Sequence, residues 1–141
     1  MCTLRICGDE LDVEALVAGL GLETVAAYHR GEPWFKGSTL IRQTSGIHVR
    51  VSDAGFGNLA EQIDDTCAFI EEHKLKLAGL RSFLGVETIE FDFPVEEMDV
   101  TIPCYCFPPR LLGLLASIGA HLDVSLYPAS KLSTEAAGDE H

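Results

Sequence analysis

The sequence predicts an α+β domain in which helices cover one face of a mainly antiparallel sheet. Three observations lead there. Several segments alternate apolar and polar side chains, so that each strand has a core face and a wet face. Between them lie stretches with apolar residues three and four apart, the one-sided stripe of a helix. The 141 residues, 47% hydrophobic and 23% charged, make one domain's worth of ordinary globular chain.

Thr3–Cys7 reads as the first strand, with Leu4 and Ile6 on one side and Arg5 and Cys7 on the other. Asp12 is placed to cap a helix, and Leu11 and Leu16 form its hydrophobic staple. Val13, Leu16, Val17 and Leu20 face inward, and Gly21 supplies the left-handed residue that ends the helix. Residues 23–38 contain Gly31, Pro33 and Gly37 and no period, and read as a long loop. Thr39–Gln43 and Ile47–Ser52 read as two strands of a tight hairpin turning at Thr44-Ser45-Gly46. Asn58 and Glu61 form a capping box for a helix ending near His73, which buries Leu59, Ile63, Cys67 and Ile70. A second helical piece is expected over Leu77–Leu84. Val86–Phe93 alternates again, with Ile89, Phe91 and Phe93 inward, until Pro94 stops it. Residues 94–107 are expected to be irregular, with an edge strand near Val100–Ile102. Pro108-Pro109 opens a helix buried through Leu111, Leu114, Leu115 and Ile118, and Gly119 ends it. His121–Tyr127 is the last strand, with Leu122, Val124 and Leu126 inward. The first six elements follow the split β-α-β-β-α-β order of a ferredoxin-like core, to which a C-terminal helix and strand are added. Residues 1–128 are thus a single α+β domain, and 129–141 a flexible polar tail.

Charge is the unusual part of the composition. Twenty-two acidic against ten basic side chains give −12, which repels nucleic-acid backbones and anionic membranes and excludes both as partners. The excess is uneven: −1 over residues 1–50, −9 over 51–100 and −2 over 101–141. Glu61, Asp65 and Glu72 share one side of the second helix, flanked by Asp64 and Glu71, and acids from Glu87 to Asp99, Glu90 and Asp92 among them, extend the field. Two acidic segments reinforcing one another make a steering surface. Against this, Tyr28-His29-Arg30-Gly31-Glu32-Pro33-Trp34-Phe35-Lys36 is one aromatic and basic island, and Tyr28, Arg30, Trp34 and Phe35 are the residue types enriched where proteins bind partners. The first thirty residues show no signal peptide, the longest near-apolar run is too short to span a bilayer, and five cysteines without framework spacing fit reduced thiols. The expected compartment is the cytoplasm.

The opening Leu4-x-Ile6-x-Gly8-Asp9-x-Leu11-Asp12 closing in Leu20-Gly21-Leu22, the segment Arg30-Gly31-Glu32, and the closing Leu115-x-x-x-Gly119-x-x-Leu122-Asp123-Val124-x-Leu126-Tyr127 together resemble an uncharacterised bacterial family known as a domain of unknown function. The resemblance covers nearly the whole chain and rests mostly on packing positions. It departs at Ile47-His48, where many members carry a tryptophan. It implies no activity or site; small acidic proteins of this kind are similar to the immunity partners of bacterial toxins.

Three chemical motifs are weighed against plainer readings. Gly55-Phe56-Gly57 enters a helix as a dinucleotide fingerprint does, but it follows a hairpin strand and precedes Glu61, Asp64 and Asp65, which repel phosphate. His48, His121, Asp92 and Asp123 project from the wet sheet face, yet their spacing is no metal signature. Cys104-Tyr105-Cys106 lacks the two further ligands zinc needs and the two-residue spacer of redox pairs. The sequence therefore points to a non-enzymatic protein-binding inhibitor without metal or cofactor. The most specific form is an immunity protein whose acidic surface masks a basic toxin site, through Glu61, Asp64, Asp65, Glu71, Glu72, Glu90 and Asp92 together with Tyr28, Arg30, Trp34 and Phe35. The alternative is a small-molecule-binding or enzymatic domain using the polar sheet face or the 28–36 loop.

Overall fold

The computed structural model describes residues 1–128, so the expected tail at 129–141 lies outside the described residues. Strand β1 (Cys2–Gly8) feeds helix α1 (Val13–Leu20), which Asp12 caps by accepting a hydrogen bond from Ala15 N, and which Gly21 ends at φ 61°. Strands β2 (Thr24–Tyr28) and β3 (Ser45–Ser52) follow, then helix α2 (Leu59–Glu72). Only half of the expected capping box of α2 forms: Asn58 Oδ1 accepts from Glu61 N, but the Glu61 carboxylate accepts from the Asn58 side-chain Nδ2 at 2.7 Å, because the Asn58 backbone N–H is bonded to Gly55 O. A short helix α3 (Lys74–Ala78) and a 3₁₀ turn at Gly79–Ser82 lead into β4 (Thr88–Glu96), α4 (Pro109–Ile118) and β5 (His121–Tyr127).

The sheet order is β2-β3-β1-β4-β5. Strand β3 lies between β2 and β1 and is antiparallel to both, which is the split arrangement; β4 closes on the other side of β1, also antiparallel. Only β5 runs parallel to its neighbour, because α4 carries the chain back as a crossover. Leu4, Ile6, Ile47, Val49, Ile89, Phe91 and Phe93 from the strands meet Leu16, Ile63, Cys67, Ile70, Leu77, Leu111 and Ile118 from the helices in a single core. The helices therefore cover one face and leave the other open. No helix among the described residues is long and apolar enough to cross a membrane.

Several expectations are corrected. The loop over 23–38 contains β2, an edge strand whose Val25-Ala26-Ala27 is exposed and so lacks the alternation of a half-buried strand. No strand forms at Thr39–Gln43, and the turn at 44–46 is absent. β3 begins at Ser45 and pairs with β2, while Leu40 and Ile41 are solvent-exposed and joined to the other side only by the bridge Pro33–Ile41. Pro94 does not stop β4, so the irregular stretch begins at Glu97 rather than 94. The proline's carbonyl is taken by Gln62 Nε2 at 2.8 Å, on the side where β1 has already ended, so its missing N–H loses no ladder bond. No strand forms at Val100–Ile102. The expected helical piece Leu77–Leu84 is instead α3 from Lys74 with the 3₁₀ turn after it. Leu122, Val124 and Leu126 pair with Phe91, Phe93 and Val95 on the core face, but at the sheet edge Val124 and Leu126 remain exposed. Leu59 and Leu114 are half-buried.

Candidate functional site

Between β2 and β3 the chain projects as a small arm. Gly31 N donates to Arg42 O, Arg42 N to Glu32 O and Trp34 N to Leu40 O, a ladder that Gly31 and Gly37 allow by turning at φ 90° and 87°. The base of the arm is pinned twice. His29 Nε2 meets Glu14 Oε1 of α1 at 2.7 Å and Nδ1 meets Glu32 Oε1 at 2.6 Å; these two hydrogen bonds hold its imidazole above the ordinary histidine value, Glu14 contributing most. The Arg42 guanidinium is sandwiched between the Tyr28 and Trp34 rings, 4.1 and 4.0 Å from their centroids. Trp34 is 52% exposed and Phe35 69%, with Leu40 and Ile41 beside them, so the tip is an aromatic and aliphatic projection on a rigid base. The sequence reading found Tyr28, Trp34 and Phe35 but missed Arg42, which it placed inside a strand. Arg30 is exposed, its N–H bonded to Ser45 Oγ.

The acidic residues divide among several places. On α2, Glu61 and Asp64 are exposed near the N-terminus; Asp65 turns partly inward to accept from Ser52 Oγ at 2.6 Å; Glu71 is paired with Arg110 at 3.0 Å; Glu72 is exposed. Glu23, Asp53, Glu61 and Asp65 border one hollow in which Arg50 is bonded to Glu23 and Asp53. Around the first turn of α2 lies a second groove of about 670 Å³, bordered by Asp64, Glu96, Glu97 and Asp99. These carboxylates gather at the end of the sheet where β3 finishes. The aromatic arm is at the other end, one strand length away, roughly 25 Å.

Glu90 and Asp92 belong to neither surface, because they sit on the open face of the sheet, away from the helices. Asp92, only 4% exposed, accepts from Arg5 Nη2 at 3.1 Å and from Ser125 Oγ at 2.6 Å, which satisfies both its oxygens and removes it from any contact surface. Glu90 is raised above the usual carboxylate range, chiefly by burial and then by the hydrogen-bonded Asp123 carboxyl. His48 is lowered, chiefly by burial and then by Arg5 and Arg42. His48 and His121, weighed together as metal ligands, stand on β3 and β5 with two strands between them, roughly 14 Å apart. Among the described residues no three His, Cys, Asp or Glu side chains are placed to share a metal ion. The Nε atoms of Arg5 and Arg42 are buried without a partner among the described residues.

Of the thiols, Cys2 is buried against Thr66 Oγ1 and its pKa is pushed up to about 12, mainly by that burial, whereas Cys104 and Cys106 are exposed at the edge of the groove around the first turn of α2. Tyr105 between them fixes that wall: its hydroxyl accepts from Met98 N at 3.0 Å and donates to Glu96 O at 3.2 Å.

A family model described as Domain of unknown function (DUF4279) matches residues 1–129 of the chain. No curated protein and no solved structure matches it.

Proposed function

The chain belongs to the DUF4279 family of domains of unknown function, and from that premise we propose that it is a non-enzymatic, protein-binding inhibitor: a cytoplasmic bacterial immunity protein that covers a basic site on a toxin. The observation that supports this reading is the collection of carboxylates around the first turns of α2 and the end of β4, where two hollows are bordered by acidic side chains. Such a surface accelerates encounter with a basic partner and repels nucleic acid and anionic lipid. The arm then serves as an anchor, since exposed aromatic side chains that a partner desolvates govern how slowly a complex separates.

The test is to co-express the chain with the product of the adjacent reading frame, ask whether it protects the cell from that product, and measure the kinetics of the purified pair. Reversal of Glu61 and Asp64 to lysine is expected to slow association, most at low salt; Trp34→Ala with Phe35→Ala is expected to speed dissociation. A pair that neither forms nor protects, or that forms equally well with both variants, overturns the reading. A second reading, a small-molecule domain using the open face, draws support from the unpartnered Nε atoms of Arg5 and Arg42. It requires the His48 imidazole resonances to shift when an organic carboxylate is titrated in.

A further inference from the structure

The groove beside α2 differs from the rest of the acidic surface in having an apolar floor. Phe56, Leu59, Ile63 and Val95 form that floor, and Asp64, Glu96, Glu97 and Asp99 form the rim; no lysine, arginine or histidine lines it among the described residues. At about 670 Å³ it is within the size range of sites that take up a ligand or several side chains. Its walls are fixed on both sides. The Asn58 cap on Glu61 N and the Gln62 bonds to Gly55 O and Pro94 O hold the α2 side. Tyr105, and the bond from Glu97 N to Tyr127 O at 2.9 Å, hold the other. A solvated acidic patch has no need of an apolar floor, and an apolar pocket for a neutral ligand has no need of four carboxylates around its mouth.

We infer that this groove is the docking site for a cationic, apolar segment of a protein partner, taking leucine-sized side chains on its floor and lysine or arginine at its rim. The inference rests on the protein-binding reading above and narrows it to one surface and one partner chemistry. Leucine-sized groups gain burial against Leu59, Ile63 and Val95. Long basic side chains lay their methylenes along the groove wall and leave their charged ends at the carboxylates. An anionic or uncharged apolar segment satisfies only one of the two conditions, so the rim sets specificity and the floor sets residence.

Cys104 and Cys106 make the site directly measurable, because both thiols line the groove and are exposed, whereas Cys2 and Cys67 are buried. The full chain is treated with iodoacetamide, and alkylation at each cysteine is followed by mass spectrometry, with three synthetic twelve-residue peptides as probes. One alternates lysine with leucine, one has glutamate for every lysine, and one has serine for every leucine. The lysine–leucine peptide is expected to slow alkylation of Cys104 and Cys106 severalfold, and the other two to leave it unchanged. Reversing two rim charges, Asp64→Lys with Glu97→Lys, is expected to weaken this protection at least about thirtyfold, which is about 2 kcal/mol. The equal reversal Asp9→Lys with Glu10→Lys, away from the groove, changes net charge alike and is expected to leave it within about twofold. All four are exposed positions, so the variants fold.

Protection by the serine peptide, or equal loss from both double reversals, reduces the effect to general charge attraction and overturns the proposal. So does protection that rises with protein concentration alone, which assigns the groove to a second copy of the chain. If a neutralised partner binds while both thiols stay reactive, the inhibitor reading survives and the groove does not. If the peptide protects while the adjacent gene product is neither bound nor neutralised, the groove survives and the inhibitor reading does not.

Discussion

On the open sheet face burial, and then the neighbouring Asp123 carboxyl, disfavour ionisation of Glu90. Because the folded pKa of Glu90 is raised, ionising it opposes folding at neutral pH, and its contribution is favourable only at lower pH. Glu90→Gln is therefore expected to raise Tm at pH 7 and to leave it unchanged near pH 3, below the unfolded value, where the wild-type carboxyl is protonated in both states. The two shifted histidines run in opposite directions. His29, raised by Glu14 and Glu32, stabilises below its unfolded pKa and loses that contribution as pH rises through its folded one; His48, lowered by burial, disfavours folding as pH falls. Proton titration by NMR is expected to place His29 above and His48 below the ordinary histidine value. Gly8 is constrained by geometry instead: a Cβ there overlaps the Gly85 carbonyl, a backbone group that cannot swing aside. Gly8→Ala is expected to lose about 1–3 kcal/mol in urea denaturation.

Among the elements, those with a local cause were legible. The Asp12 and Asn58 caps, the prolines opening α4 and the glycines at φ 61° and 70° after α1 and α4 are short-range chemistry, and each can be read from a few consecutive residues. Asn58→Ala and Asp12→Ala are each expected to cost about 1 kcal/mol, and to add in the double variant because the caps serve different helices. What was not legible depends on neighbours distant in sequence. Thr24–Tyr28 is a strand because β3 lies beside it, not because its side chains alternate. Leu40 and Ile41 look like strand core and instead stand exposed on the arm, and Pro94 sits harmlessly in β4 because β1 happens to end there. The candidate site divides the same way. The aromatic and acidic residues were visible as composition, but the Tyr28–Arg42–Trp34 stack, the burial of Asp92 and the floor beneath Asp64 exist only once the sheet is assembled.

Over the whole molecule, a formal charge of −12 makes the folded state repel itself, most strongly where the middle of the sequence gathers its carboxylates. Raising sodium chloride from about 0.05 to 0.5 M shortens the Debye length from roughly 14 to 4 Å. The same increase is therefore expected to raise Tm in a thermal melt and to slow capture of a basic partner in a flow experiment, one cause with two opposite readings. The mixed sheet has a further consequence. Strands β1, β3 and β4 are embedded in the sheet, but β5 bonds to β4 alone and leaves Val124 and Leu126 half in water. The chain thus has a natural order of opening: β5 can peel from the edge while the four antiparallel strands keep their ladder and their shared core. Amide protons from Leu122 to Leu126 should exchange with deuterium through this partial opening, well before those of Leu4, Ile6 and Val49, which wait for the whole domain to unfold.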